Sequence, residues 1–173
     1  MSEGAVTRVQ GLGMVTLRGD PTELAAAIQD VAGLDLPDRR MSVAGEDGTR
    51  LLWMSPDELL LVCHYDDAPR LARELSEELV DAFATVVVVS DARAAFDVAG
   101  PDPEGALARL MPVDFGAMAD GEVRRSRLAQ VAAATWREGG AMRVVCFRSV
   151  ADYVEAALAN AAADAAREAL AGA

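Results

Sequence analysis

The stretches WMSPDELLLVC, Trp53–Cys63, and WREGGAMRVVC, Trp136–Cys146, use up both tryptophans and both cysteines of the chain. In each, the cysteine follows its tryptophan by ten residues, and the second copy stands 83 residues after the first. The first reads as strand, turn, strand: bulky apolar runs flank Ser55-Pro56-Asp57-Glu58, whose proline is unsuited to a central ladder. The second reads the same way, with Glu138-Gly139-Gly140 as its turn. A shared local pattern of this kind marks a duplicated structural unit, and its neighbours extend it in both directions.

Upstream of the first copy, Asp20 caps a helix, Pro21 suits its first turn and Glu23 stands at capping-box spacing, which predicts about three helical turns. Upstream of the second, Asp102 and Pro103 repeat the signal, and Leu107 and Leu110 supply an apolar stripe. An aspartate in an apolar bracket follows each helix: LDL at 34–36 and VDF at 113–115. Beyond each cysteine the pattern predicts a further helix. One runs from Ala68 to Phe83, capped from Asp66 or Asp67, and the other from Val150 to about Ala171, capped by Ser149 with Asp152 three residues on. The expected fold class is therefore α+β, with two pseudo-symmetric strand-helix-strand-strand-helix halves, about 12–84 and 85–171, in one domain spanning 1–173. Trp53 and Trp136 are expected at matching strand positions in the core. Cys63 and Cys146 are expected to point inward, each on the same face as its tryptophan unless a bulge intervenes.

The composition narrows the function. With 173 residues, about half of them apolar, the chain is long enough for one buried core. Its formal charge is −12 and all 16 basic residues are arginine. An acidic surface repels the phosphate backbone, so nucleic acid is a poor partner. Without lysine there is no Schiff-base or phosphate-loop chemistry. MSEGAVTRVQG lacks the pattern of a secretory signal, and Val86–Val89 is too short to cross a bilayer, so a cytoplasmic protein with reduced thiols and no membrane span is expected.

Few residues suggest chemistry. His64 is the only histidine. With Asp66 and Asp67 it could complete a metal site, but a strand-end histidine followed by helix-capping aspartates accounts for all three. Cys63, its neighbour, is read as a core thiol. GLG at 11–13 and GGA at 139–141 lack the glycine spacing of a dinucleotide fingerprint and read as turns. Carboxylates fall on solvated helix faces such as ARELSEEL. No catalytic, cofactor-binding or metal residue is assigned. Against the acidic background VRRSRLAQV stands out: in a strand Arg125 and Arg127 share one face while Arg124 and Leu128 share the other, and Arg93 is similar in kind. Arg124, Arg125 and Arg127 are thus a candidate subunit interface or anion site, with local ion pairing as the alternative.

The runs WMSPDELLLV, SDARAAFDVAGPDPEGALARLMPVDF, RRSRLAQVAAATWR and FRSVADYVEAAL together resemble the gamma-subunit family of heterotetrameric sarcosine oxidase. The order and spacing match over most of the chain. Leu59 departs from the pattern, where tryptophan is expected, as does Ser55, where glycine is commoner. The resemblance implies a folate-binding-module-like fold, similar to the N-terminal part of the glycine-cleavage aminomethyltransferase. It further implies a non-catalytic subunit beside alpha, beta and delta partners, in an assembly that oxidatively demethylates sarcosine to glycine with one-carbon transfer to tetrahydrofolate. The assembly's FAD, FMN and NAD are implied to sit on other subunits. The alternative is a stand-alone folate-binding or one-carbon-transfer protein, although the Lys-Gly-Cys signature of such relatives is missing. A small-molecule sensing module of duplicated α/β halves is a third class, supported by architecture alone.

Overall fold

The computed structural model describes residues 5–171. In chain order the elements are β1 (Ala5–Arg8), β2 (Leu12–Arg18), α1 (Pro21–Ala32), β3 (Ser42–Ala44), β4 (Arg50–Ser55), β5 (Glu58–His64), α2 (Ala68–Glu78), β6 (Thr85–Val88), β7 (Arg93–Ala99), α3 (Pro103–Ala108), β8 (Val123–Leu128), β9 (Val131–Glu138), β10 (Ala141–Phe147) and α4 (Ala151–Ala171). They form an α+β protein with two five-stranded sheets. Among the described residues no helix is long and apolar enough to cross a membrane.

The chain divides into two compact units, one of residues 11–91 and one formed by the segment before residue 11 with residues 92 onward. The first unit orders its sheet β3-β4-β5-β2-β6 and the second orders its sheet β8-β9-β10-β7-β1. These are the same order: in each, a strand leads through a helix to an edge strand, then through two hairpin-linked strands to a second helix. The fifth strand is exchanged. β1 precedes β2 in the chain but pairs with β7, whereas β6 precedes β7 but pairs with β2. The unit boundary therefore falls after β6 rather than at residue 84.

Each sheet carries its helices on one face. In the first unit Val15, Leu17, Leu51, Leu61 and Cys63 meet Leu24 and Ile28 of α1 and Leu71 and Leu75 of α2. In the second, Phe96, Val98, Val144 and Cys146 meet Leu107 of α3 and Val154 and Leu158 of α4. Local signals account for the helices. Asp20 Oδ1 accepts from the Thr22 amide at 2.9 Å, while the Glu23 amide donates to the Asp20 carbonyl at 3.0 Å, so the cap is made to Thr22 and not as a reciprocal box with Glu23. Asp102 accepts from the Gly105 amide at 2.8 Å, and its helix runs only six residues.

The helices after the cysteines start differently from expectation, and alike. Each is entered through a 3-10 turn, Tyr65–Asp67 before α2 and Arg148–Val150 before α4. Asp67 stands at the N-cap position of α2 as expected, but its side chain makes no cap hydrogen bond, and Asp66 lies inside the 3-10 turn. His64 Nδ1 accepts from the Asp66 amide at 3.4 Å, and Asp67 pairs with Arg70 at 3.3 Å. Ser149 likewise lies inside its 3-10 turn and not at a helix cap. α2 ends at Glu78, well short of Phe83.

Candidate functional site

The two hairpins that suggested the duplication differ at their tips. Gly139 and Gly140 both take positive φ, 54° and 86°, the geometry of a two-residue primed turn that continues the ladder without interruption. Trp136 then pairs with Arg143, and Cys146 with Ala133. Opposed residues share a face, so Trp136 and Cys146 lie on opposite faces of their sheet. In β4–β5 the first turn residue is Pro56, whose ring forbids positive φ and with it the primed turns. The ladder instead shifts between Trp53 and Ser55, leaving Met54 as an extra residue. Trp53 pairs with Leu59 and faces the helices with Cys63, half-buried. Trp136, on the face away from its helices, is 1% exposed. The tryptophans therefore do not occupy matching positions; the cysteines do, each next to last on its strand.

Both thiols are buried and free. Burial, chiefly, pushes the Cys63 thiol up to about 11, with the Asp67 charge adding to it. Burial does the same to Cys146, also to about 11, against the opposing charges of Arg8 and Arg93. At neutral pH both are neutral and poor nucleophiles. His64, next along the strand from Cys63, points to solvent, so the two form no dyad. Its ring stands 3.9 Å from Asp66, and among the described residues no three His, Cys, Asp or Glu side chains converge on one point. GLG is structural. A Cβ on Gly13 would lie 2.5 Å from the His64 carbonyl oxygen and 2.9 Å from Cys63 Sγ, so the missing side chain lets β2 pass close to β5.

The arginines of VRRSRLAQV lie on β8, an edge strand, with the alternation expected of them. Arg125 and Arg127 are exposed on the face that carries Val123 and Trp136, and Leu128 is buried on the other. Arg124 separates from the group: it is half-buried and its Nε lies 2.9 Å from the Glu122 carboxylate, itself almost fully buried. Local pairing thus accounts for Arg124, while Arg125 and Arg127 form the solvent-facing part of the cluster. Arg93, three strands away on β7, stacks over the Phe147 ring at 4.3 Å.

Two better-built polar nodes escaped the sequence reading. Arg143 and Asp97, opposed on β10 and β7, make a two-point pair with both contacts at 2.7 Å and side chains 15% and 29% exposed. Asp97 chiefly raises the Arg143 pKa, against the effect of burial. The Glu138 carboxylate lies 3.9 Å from Arg143 and accepts from Trp136 Nε1 at 2.8 Å, so indole, carboxylates and guanidinium form one chain of contacts. On β9, Arg137 donates to the carbonyls of Met118 at 2.7 Å and Phe115 at 3.0 Å and to Glu104 at 2.8 Å, closing the long α3–β8 connection onto the sheet. Neither node has a local signature, because Arg143 and Asp97 are 46 residues apart, and the partners of Arg137 about 20 to 33, so that they meet only through strand pairing and the path of the connection. In each node the guanidinium is held by carboxylates or carbonyls of its own unit, as in a structural clasp.

In the first unit a shallow concavity of about 630 Å³ opens beside Phe83, bounded by Arg18, Asp20, Glu23, Pro56 and Asp57. A second, of about 400 Å³, is bounded by Glu23, Asp30, Glu78 and Asp81. Carboxylates outnumber cations at both.

Paired five-stranded α+β units of this kind recur in known proteins. The structure is similar to a chain of heterotetrameric sarcosine oxidase from Corynebacterium sp. U-96, with a TM-score of 0.85 and 22% identity over 96% of this chain and 88% of that one. It is also similar to glycine cleavage system aminomethyltransferase T from Bartonella henselae, with a TM-score of 0.68 and 12% identity over 91% of this chain and 45% of that one. The fold is thus one shared with these two proteins, a paired five-stranded α+β class. The chain belongs to the sarcosine oxidase, gamma subunit family, whose pattern matches residues 18–164. It is 32% identical over 117 residues to the sarcosine oxidase subunit gamma of Corynebacterium sp. (strain P-1) and 31% identical to that of strain U-96. The matched segment covers 66% of this chain and 57% and 56% of those two proteins.

Proposed function

We propose that this chain is a non-catalytic gamma subunit of a heterotetrameric sarcosine oxidase that demethylates sarcosine to glycine, with one-carbon transfer to tetrahydrofolate. In this reading alpha, beta and delta subunits are its partners, FAD, FMN, NAD and tetrahydrofolate are held by them, and the assembly works in the cytoplasm. The carrying observation is the family match across residues 18–164. Two features of the chain support a role without chemistry of its own: its thiols are held neutral by burial, and the linings beside Phe83 and around Asp30 carry more carboxylates than cations, which disfavours a phosphate-bearing ligand. The exposed pair Arg125 and Arg127 belongs to a docking face in this reading, since a basic edge strand on an acidic protein favours a carboxylate-bearing partner.

The test is co-expression of the chain with the partner subunits. Co-purification in fixed ratio, with a colourless isolated chain that makes no peroxide from sarcosine, is the expected result. A flavin spectrum or micromolar tetrahydrofolate binding by the chain alone would overturn it. We also read the common strand order of the two sheets as a duplication that yields pseudo-symmetric halves of one folate-binding-module-like domain. That reading requires a single cooperative unfolding transition seen by both fluorescence and circular dichroism.

A further inference from the structure

The four outer strands of the two sheets are not protected alike. β8 carries Arg124, Arg125 and Arg127, β1 carries Arg8, and β3 is only three residues long, all devices that discourage pairing with another chain. β6, one residue longer than β3, carries no charged side chain. Its sequence is Thr-Val-Val-Val, with Val87 and Val88 exposed. Among the described residues its only strand neighbour is β2.

The Val89 amide donates to the Met14 carbonyl at 2.8 Å, which sets the phase of the antiparallel ladder. Residues 85, 87 and 89 turn their backbone groups toward β2, so Val86 and Val88 turn theirs away from it. In the connection leading to this strand, Val80 is 77% exposed and Phe83 is 97% exposed. Large apolar side chains so open, beside an unprotected strand edge, mark a place where another polypeptide belongs. From Leu79 to Asp91 the only charges are Asp81 and Asp91, and Glu77 and Glu78 precede them. A second copy laid antiparallel on this edge would bring Asp81 of each toward Asp91 of the other, between molecules of charge −12.

We propose that β6 is extended by an extended segment of a partner subunit. That segment adds as a sixth strand through the outward backbone groups of Val86 and Val88, covers Phe83 with apolar side chains, and carries flanking arginine or lysine that meets Asp81 and the Asp20, Glu23 and Asp57 rim. This rests on the reading of the chain as a subunit of a larger assembly, and it names a surface distinct from the arginines of β8.

The experiment is co-expression of the full chain with the partner subunits, followed by amide exchange of the lone chain and of the purified assembly. Exchange at Val86 and Val88 is expected to slow at least about tenfold on assembly. Val88→Pro removes an outward N–H while leaving the ladder to β2 intact, and Phe83→Asp alters a side chain with almost no contacts. Each is expected to lower the yield of assembly about tenfold or more with the melting temperature of the lone chain unchanged. Wild-type assembly with unprotected Val86 and Val88, or with both variants assembling normally, overturns this inference and leaves the proposed function standing. Failure of the wild type to assemble overturns both. A homodimer of the lone chain that Val88→Pro dissociates assigns the edge to a second copy and overturns the choice of occupant.

Discussion

The β4–β5 and β9–β10 hairpins stand at the same place in two sheets of the same strand order, yet one puts its tryptophan under the helices and the other puts it on the opposite face. The cause is two residues at the tip. Gly139-Gly140 supplies two positive-φ positions and a regular turn, whereas Pro56 denies the first and the ladder absorbs the difference as a bulge at Met54. One extra residue before the turn inverts the face of every residue beyond it on that strand. Spacing in sequence was equal in the two copies; spacing along the pairing register was not. Turn chemistry therefore decides what a repeated motif buries.

The largest expected difference between the hairpins lies in their tryptophans. Trp136→Ala should cost roughly 3–5 kcal/mol in urea unfolding, because the indole is fully buried and its Nε1 bond to Glu138 is lost with it. Trp53→Ala, from a half-buried site, should cost about 1–2 kcal/mol. Equal costs would mean that the difference in face has no energetic consequence. Next come the cross-strand ion pairs. A double-mutant cycle on Arg143 and Asp97 should give a coupling of about 2 kcal/mol, below that of a fully buried pair because both side chains keep some exposure. The cycle on Arg18 and Glu58, at 3.4 Å with Arg18 53% exposed, should give less than about 1 kcal/mol.

A smaller effect probes the tips themselves. Gly139→Ala or Gly140→Ala forces a side chain into positive φ and should cost about 1 kcal/mol, whereas Asp57→Ala should stay within about 0.5 kcal/mol. Similar values at both tips would contradict the two turn types. At the bottom of the scale the units should behave alike. Both thiols should react slowly with a polar disulfide reagent in the native state and rapidly in urea. Each folded-state pKa is raised from 9.0 to about 11, so the unfolded state releases the proton first. The thiols thus cost no stability below pH 9, and stability falls as pH rises from 9 toward 11. Cys63→Ala and Cys146→Ala should each flatten that decline, and a fall confined to one of them would separate the two sites.

Much of this was legible in the chain itself. Asp20-Pro21 and Asp102-Pro103 announced their helices, because a cap and its proline act within one turn. The apolar runs around both turns announced strands, the inward cysteines followed from alternation along single strands, and the edge position of Arg125 and Arg127 changed nothing about their predicted shared face. The starts of α2 and α4 differ from expectation in their 3-10 turns, since such a turn and a helix cap draw on the same short polar residues; Asp67 holds the N-cap position of α2 without a side-chain bond, and His64 caps the turn before it. The family, too, was written in motifs whose order survives without coordinates.

Sequence alone thus determined what depends on neighbours within a few residues: helix starts at proline, strand alternation, the recurring element order, and a charge of −12. Tertiary structure alone decided which strand joins which sheet, so that β1 and β6 trade places, and which face each tryptophan takes. It also brought Arg143 to Asp97 and Arg137 to the carbonyls of its connection, and it left β6 with an open edge. The physical reason is that pairing register and partner choice are properties of two segments at once. A strand's residues state that it will pair, but the hydrogen bonds that choose its neighbour are made by backbone groups that every residue has in common.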